Sequence, residues 1–325
     1  MREITYSQAI NEAIREEMRR DPDIVLLGQD IGVYGGTFGV YRGLCDEFGE
    51  DRVRDGPLSE AATAGFGIGL AVAGMRAIVE IEFMDFSPLV LDAVANQASK
   101  MRYFFGGKVK VPLVLRMPSA SKLGLGAQHS QSLESWFMHT PGLLIAMPST
   151  PYDAKGLLKT AVRQDNPVIF IEHVRLYATK GEVPEEEYNL PFGSARIVRE
   201  GSDVTVVAIA MMVQEAVQSA DELEKEGISV EIIDPRTLAP LDGGTIVESV
   251  KKTGRLLVTH EAYRTAGVGA EIGQVALEGA FDYLVAPIRR VAGKHQPIPA
   301  GPLQDEVFPD RNKLAAAIRD LMEEG

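Results

Sequence analysis

The stretch DGPLSEAATAGFGIGLAVAG, residues 55–74, places a single carboxylate, Glu60, at the start of a long run of small and apolar residues. This run predicts a helix in the protein interior, where an isolated acid is costly unless it has a partner. Burial also raises the pKa of a carboxyl group, which suits the group to share a proton with a ligand. The simpler interpretation is a helix with Ser59 as its N-cap, in which Glu60 stabilises the positive end of the helix dipole.

The composition is that of an ordinary globular protein, and it excludes several classes of function. A net charge of −13 argues against binding to nucleic acid, which needs clustered Lys and Arg. The single cysteine, Cys45, excludes an internal disulfide and any paired-cysteine zinc or redox site. The sequence shows neither a signal-peptide pattern nor an apolar run of membrane-spanning length. We therefore expect a cytoplasmic protein that does not bind membranes.

Short apolar runs typical of strands alternate with helical stretches, which predicts an α/β fold with a mostly parallel sheet flanked by helices. The segment 181–196 is rich in acids, Pro and Gly and predicts an exposed linker. Because the alternation restarts after it, we expect two domains, 1–185 and 196–325. In the first of these, strands are predicted at 24–27, 78–83, 111–117, 143–147 and 168–172, and helices at 59–73, 88–103 and 151–163.

Two side chains are candidates for chemistry because of their settings. His129 lies in a loop of small residues after a predicted strand, where an imidazole can pass protons near neutral pH; a solvent-facing loop histidine is the alternative. Phe86 follows another predicted strand, where ligands gather in open α/β sheets and an aromatic ring can cover a flat heterocycle. Strand-end aromatic residues are more often part of the core. The glycines at 65–69 lack the preceding strand of a dinucleotide fingerprint, and no P-loop motif is present.

Several separated motifs occur together and in a fixed order. They are GQDIG at 28–32, PLSE at 57–60, EFMDF at 82–86, HSQ at 129–131 and STPYDAKGLL at 149–158. In this combination the chain resembles, over nearly its whole length, the beta subunits of the thiamin-diphosphate-dependent first component of 2-oxoacid and acetoin dehydrogenase complexes. The resemblance implies a transketolase-like pyrimidine-binding domain followed by a transketolase-like C-terminal α/β domain.

The resemblance also implies roles for individual residues. Glu60 would hydrogen-bond a ring nitrogen of the aminopyrimidine of thiamin diphosphate, which favours formation of the nucleophilic ylid. Leu58 would line the cofactor site, and Phe86 would pack against the pyrimidine. His129 would act as a general acid when the acyl group passes to a lipoyl arm of the dihydrolipoyl acyltransferase component.

One motif of the family is missing from this sequence. The family binds the diphosphate and magnesium through a Gly-Asp-Gly motif on its alpha subunit, and this chain has no Gly-Asp-Gly. The resemblance therefore implies that the chain supplies half of an active site within an α2β2 heterotetramer and is inactive alone. Docking to the acyltransferase core, through its subunit-binding and lipoyl domains, is implied as well.

Two departures concern a proton path and a cation site. Gln29 stands where the family usually has a glutamate proposed to join a proton path between paired active sites, and a neutral amide cannot carry a proton in that way. The family also holds a structural potassium ion, largely through backbone carbonyls, and at this site Gln164 replaces the usual aspartate. The matching positions are Leu113, Ala161, Val162, Gln164 and Asn166.

The substrate and two alternative functions stay open at this point. The segments 96–108, 127–131 and 181–185 most resemble acetoin dehydrogenase beta subunits, with pyruvate and branched-chain 2-oxoacid enzymes close behind. A self-sufficient transketolase-type enzyme is one alternative, and the missing diphosphate motif argues against it. A non-catalytic scaffolding or regulatory subunit is the other, and the presence of both Glu60 and His129 argues against that.

Overall fold

The computed structural model describes residues 1–324, which divide into two compact units that do not follow chain order. The first unit comprises Met1–Ala120 and Trp136–Phe192, and the second comprises Ser121–Ser135 and the chain from Gly193 onward. Both units contain mostly parallel sheets flanked by helices, so the predicted fold class is confirmed. Within residues 1–324, no helix combines the length and apolar character needed to cross a membrane.

A parallel sheet forms the centre of the first unit. The strands in this part of the chain are β1 (Arg2–Thr5), β2 (Ile24–Gly28), β3 (Val53–Asp55), β4 (Arg76–Glu80), β5 (Leu113–Ser119), β6 (Leu144–Ala146), β7 (Val168–His173) and β8 (Lys180–Val183). Strands β1 and β8 form a separate antiparallel pair. Strands β6, β7, β5, β4, β2 and β3 lie side by side in that order, and every pair is parallel. The central strands are buried along their whole length, as expected for a sheet covered on both faces.

Helices cover this sheet, and a capping box defines where the first one begins. The Thr5 side chain accepts from the backbone N–H of Gln8, and the Gln8 side chain accepts from the backbone N–H of Thr5. The helices in this part of the chain are α1 (Tyr6–Arg20), α2 (Leu44–Phe48), α3 (Glu60–Val72), α4 (Ser99–Phe104), α5 (Glu134–Met138) and α6 (Pro151–Val162).

Three predicted elements differ from the structure. The helix predicted at 88–103 is divided into a 3₁₀ segment at Met84–Leu89, a π-helical segment at Ala93–Ala98 and α4, because Pro88 has no N–H to donate to a helix. The strand predicted at 78–83 ends at Glu80. The start of the predicted linker forms β8, which pairs with β1, and its residue Val183 is fully buried.

Helix α3 is buried on one face only, so the prediction that the whole apolar run lies in the interior is wrong for this chain. Its inner face, which includes Ala64, Gly67 and Ile68, packs beside β4. On the outer face, Phe66 is 50% exposed and Val72 is 44% exposed. The sequence of a helix that is apolar on all sides has no periodic pattern to indicate which face is covered. Helix α3 covers its sheet with one face and leaves the opposite face exposed.

The second unit is built around a second sheet, in which β14, β13, β10, β11 and β9 lie in that order, with β9 antiparallel to its neighbour. The strands in the second unit's part of the chain are β9 (Arg196–Arg199), β10 (Val204–Ala208), β11 (Val230–Asp234), β12 (Thr237–Ala239), β13 (Leu256–Tyr263) and β14 (Arg289–Gly293), of which β12 lies outside this sheet. Its helices are α7 (Met211–Leu223), α8 (Gly243–Thr253), α9 (Val268–Ala280) and α10 (Arg311–Glu323).

Two glycines of α3 test this one-sided packing. A Cβ added to Gly67 would lie 2.5 Å from Val79 Cγ2, whereas a Cβ added to Gly65 would meet open space. We expect Gly67→Ala to destabilise the fold by about 1–3 kcal/mol through overpacking. Gly65→Ala should stabilise it by about 0.5–1 kcal/mol, because alanine is the better helix former. Urea unfolding of both variants measures this, and shifts of the same sign and size would contradict the assigned inner face.

Candidate active site

Glu60 is the first residue of α3, and the ends of β2 and β3 position it. The backbone N–H of Gly56, just after β3, donates to Gly28 O at the end of β2 (2.7 Å). The glycine at position 28 lets this strand end lie against its neighbour, because a Cβ there would be only 3.1 Å from Glu80 Cβ. Ser59 occupies the N-cap position, but its side chain makes no capping hydrogen bond. Ser59 is therefore the N-cap residue by position, as the simpler interpretation predicts, but its hydroxyl does not cap the helix through a hydrogen bond.

Glu60 is half-buried and lines a small polar cavity at the carboxyl ends of β2 and β4. Ligands bind at this edge in open α/β sheets. The cavity brings three carboxyl groups together, and one of them, on Glu82, accepts a hydrogen bond from the Thr37 hydroxyl. The residues lining it are Gln29, Pro57, Ser59, Glu60, Thr63, Glu80, Ile81 and Glu82.

Behind the cavity, a buried guanidinium holds two carboxylates. Arg116, on β5, donates from Nη1 to Glu80 Oε2 (2.7 Å) and, through Nε and Nη2, to both oxygens of Glu172 (2.6 Å each). The Tyr177 hydroxyl also donates to Glu172 (2.8 Å), and Arg116 Nη1 lies against the Tyr41 hydroxyl. Burial raises the pKa of Glu80 to about 7; Arg116 opposes this rise and the charge of Glu172 adds to it.

The two predicted apolar contacts lie in the same unit as Glu60. Leu58, two residues before Glu60, is 77% exposed. Phe86 is half-buried on the 3₁₀ segment after β4, and its ring meets that of Phe83 edge to face, with centroids 5.8 Å apart. Phe83 in turn contacts Phe38 edge to face at 5.7 Å. The first unit therefore carries an acid, an open leucine and a supported aromatic ring, which is a set that suits a flat heteroaromatic ligand.

His129 belongs to the second unit, so the structure does not show it together with Glu60. Two hydrogen bonds hold its loop against a later segment of the same unit. The Gly124 N–H donates to Gln304 Oε1 (3.0 Å), and the Gly301 N–H donates to Gly124 O (3.1 Å). His129 is half-buried, and its backbone N–H donates to Gly126 O (3.4 Å). Its role as a general acid stays a prediction.

The predicted potassium site contains an arginine that the sequence pattern did not reveal. Arg76 Nη1 donates to Val162 O (3.0 Å) and to Gln164 O (2.9 Å). Each carbonyl oxygen has a second lone pair, so neutral donors that suit a hard cation are still present. The guanidinium charge beside them opposes the approach of a second cation. The potassium site therefore stays a prediction. If the carbonyl oxygens of Val162 and Gln164 bind potassium, they do so while also accepting hydrogen bonds from Arg76.

Two features that carry buried acids were not predicted from the sequence: the Arg116 network of the first unit and Glu134 of the second. An arginine inside the predicted strand 111–117 was the available signal for the network, because a charge in a buried strand needs partners. Glu134, at the start of α5, carried no such signal. It is fully buried, and burial raises its pKa to about 7, with a further rise from the charge of Glu261.

Comparisons with known proteins agree with this architecture. The "Transketolase, pyrimidine binding domain" model matches residues 2–180, and the "Transketolase, C-terminal domain" model matches residues 193–314. A solved structure described as "Split gene transketolase, inactive beta4 tetramer" superposes with a TM-score of 0.82 over 99% of each chain; at 20% identity this likeness concerns the fold. The fold and the site together define a transketolase-like protein.

Curated relatives narrow this class. The beta subunit of acetoin:2,6-dichlorophenolindophenol oxidoreductase from Cupriavidus necator is 46% identical, over 100% of this chain and 99% of its own. The beta subunit of the pyruvate dehydrogenase E1 component from Staphylococcus aureus is 42% identical, over 99% of this chain and 100% of its own. The chain belongs to this family of thiamin-diphosphate-dependent dehydrogenase beta subunits.

The buried acid Glu134 generates a pH prediction. The pKa of Glu134 in the folded protein, about 7, lies above its ordinary value of 4.5. The unfavourable free energy of ionising Glu134 in the folded protein is therefore absent below pH 4.5 and grows as the pH rises towards 7. This difference corresponds to about 3 kcal/mol. We therefore expect the unfolding free energy of Glu134→Gln, relative to that of the unaltered protein, to increase by about this amount as the pH rises from about 4.5 to about 8.

Urea unfolding at several pH values measures this difference, and Glu50→Gln, a change at an exposed glutamate, is the matched control. A constant offset between Glu134→Gln and the unaltered protein across this range would show that Glu134 does not titrate as described.

Proposed function

We propose that this chain is the beta subunit of a thiamin-diphosphate-dependent oxidoreductase that cleaves acetoin or a 2-oxoacid and passes the acyl group to a lipoyl arm. The observation that carries the proposal is the position of Glu60. A half-buried carboxyl at the head of α3 opens into a polar cavity at the carboxyl ends of the strands, in a chain matched by the pyrimidine-binding family over residues 2–180. A carboxyl group there fits the ring nitrogen of an aminopyrimidine.

The side chains of this chain would bind and orient the cofactor. When bound, thiamin diphosphate supplies a carbon nucleophile and an electron sink for cleavage beside a carbonyl. Glu60 would hold the hydrogen bond to the pyrimidine ring nitrogen and keep the proton there shared. Leu58 and Phe86 would pack against the ring and exclude water. His129 would deliver a proton when the acyl group leaves for the lipoyl acceptor.

The remaining half of the site would come from an alpha subunit. The sequence lacks the diphosphate-binding motif, so the diphosphate and its magnesium would be held by the partner. The bare outer face of α3, with Phe66 and Val72 exposed, supports the presence of a covering subunit in an α2β2 heterotetramer. We further propose that this assembly docks on a dihydrolipoyl acyltransferase core. Among the candidate substrates, the 46% identity to the acetoin enzyme subunit favours acetoin.

Replacing Glu60 tests this function. With the chain co-expressed with its alpha subunit, we expect thiamin-dependent dye reduction with acetoin, and less with pyruvate or branched-chain 2-oxoacids. Glu60→Gln keeps the size of the side chain but cannot share a proton, so kcat should fall by about a hundredfold or more. Glu50→Gln, an exposed change, is the control.

Two outcomes would contradict the proposal. Full activity of Glu60→Gln in the assembled enzyme would favour the scaffolding subunit. Activity of the isolated beta chain without its partner would favour the self-sufficient transketolase-type enzyme.

Potassium binding is tested by thermal unfolding. If the carbonyls around Val162 bind the ion, Tm should be higher in potassium chloride than in choline chloride at equal ionic strength, because a ligand of the native state stabilises it. At about ten times the dissociation constant the gain is about 1.4 kcal/mol. Equal Tm values in the two salts would remove potassium from the proposal and leave Arg76 as the sole cation at these carbonyls.

A further inference from the structure

The cavity that contains Glu60 is also lined by the amide of Gln29 and by the carboxyl group of Glu80. Gln29 lines it at the position where the resemblance implies a glutamate, and an amide neither gives nor takes a proton. On the same lining, Glu80 ends β4. Glu60 and Glu80 therefore line the same small cavity.

The charges around Glu80 favour a stored proton on this residue. One buried guanidinium, on Arg116, faces two carboxylates, so the cluster carries an excess negative charge when both are ionised. Glu172 accepts two hydrogen bonds from Arg116 and one from Tyr177, whereas Glu80 accepts one from Arg116 and one from the Tyr41 hydroxyl. Burial raises the pKa of Glu80 to about 7, so a proton held by this cluster near neutral pH lies on Glu80.

We propose that Glu80 is a positioning residue of the cofactor site that stores a proton and exchanges it with Glu60, in place of the acid that Gln29 cannot supply. The exchange is balanced: the O–H bond on the Glu80 carboxyl breaks as an O–H bond forms on the Glu60 carboxylate, and the negative charge moves to Glu80, beside Arg116. The burial-raised pKa of Glu80, about 7, matches this task near neutral pH. This inference rests on the proposed function of Glu60.

Every titratable group that faces Glu80 bears on its pH dependence. On the protein side these are Arg116 on β5, Glu172 on β7 and the phenols of Tyr41 and Tyr177. On the cavity side they are Glu60 and Glu82. The pKa values of Arg116 and of the two phenols are raised well above their ordinary values, so these groups keep one charge state through neutral pH, and the change near pH 7 is assigned to Glu80, whose pKa burial raises to about 7.

The test compares Glu80→Gln with Glu172→Gln in the assembled enzyme with its alpha subunit. Both variants remove one carboxylate from Arg116, but only Glu80 lines the cavity. We expect the kcat profile of the unaltered enzyme to have a limb near pH 7. Glu80→Gln should lose this limb and about tenfold or more of kcat, whereas Glu172→Gln should lose thermal stability and move the limb to lower pH, because the charge of Glu172 contributes to the raised pKa of Glu80.

Two further measurements keep the inference falsifiable if Glu80→Gln does not assemble. Infrared difference spectra across neutral pH should show a protonated carboxyl band, which is absent in Glu80→Gln. In the otherwise unaltered enzyme, Gln29→Glu should move the limb to higher pH, because a second carboxylate in the cavity raises the pKa of Glu80. In the Glu80→Gln background, Gln29→Glu should restore part of kcat.

Several outcomes would overturn the inference. These are an unchanged limb in Glu80→Gln, an unchanged limb in Gln29→Glu, or equal effects of Glu80→Gln and Glu172→Gln on kcat and its pH profile. In each case, a large loss in Glu60→Gln would still leave the proposed function standing, so the two failures are distinguishable.

Discussion

The first unit depends on one buried charge, the guanidinium of Arg116. Taking an arginine out of water in the middle of a parallel sheet is tolerable only because Glu80 and Glu172, on the two neighbouring strands, accept from it. The three strands are thereby fixed in register by charge as well as by their backbone ladders. Since β4 ends at Glu80, the same interaction determines where that strand releases the chain towards Phe86.

The carboxyl group of Glu60 is placed by backbone geometry rather than by its own contacts. Gly28 lets the end of β2 lie against β4, and Gly56 closes the following loop with a hydrogen bond to it, so α3 begins at the edge of the sheet. Glu60 itself stays half-buried and open to the cavity. A side chain that is fixed by a helix start but not consumed by protein hydrogen bonds is free to bind a ligand atom.

The sequence predicted the layered architecture well, because alternating apolar runs and helical stretches are local signals. It also singled out Glu60, since an acid before a long apolar run is unusual. The sequence did not show that α3 would be half exposed, because an apolar helix without periodicity does not indicate which face is covered. The pairing of Arg116 with Glu80 and Glu172 was hidden for another reason. These residues are 36 and 56 positions apart, and only the strand order brings them together. Likewise, the anchors of the His129 loop lie more than a hundred residues along the chain, at Gly301 and Gln304.

The uncovered side of α3 has a consequence for how the cell handles this polypeptide. A strip of small residues flanked by Phe66 and Val72 lies on the same helix as Glu60. An exposed apolar strip of this kind favours association with another polypeptide chain. Any excess of this chain over its companion would carry that strip into solvent, where a second copy is the nearest available cover. We expect balanced synthesis of the two polypeptides to limit this self-association.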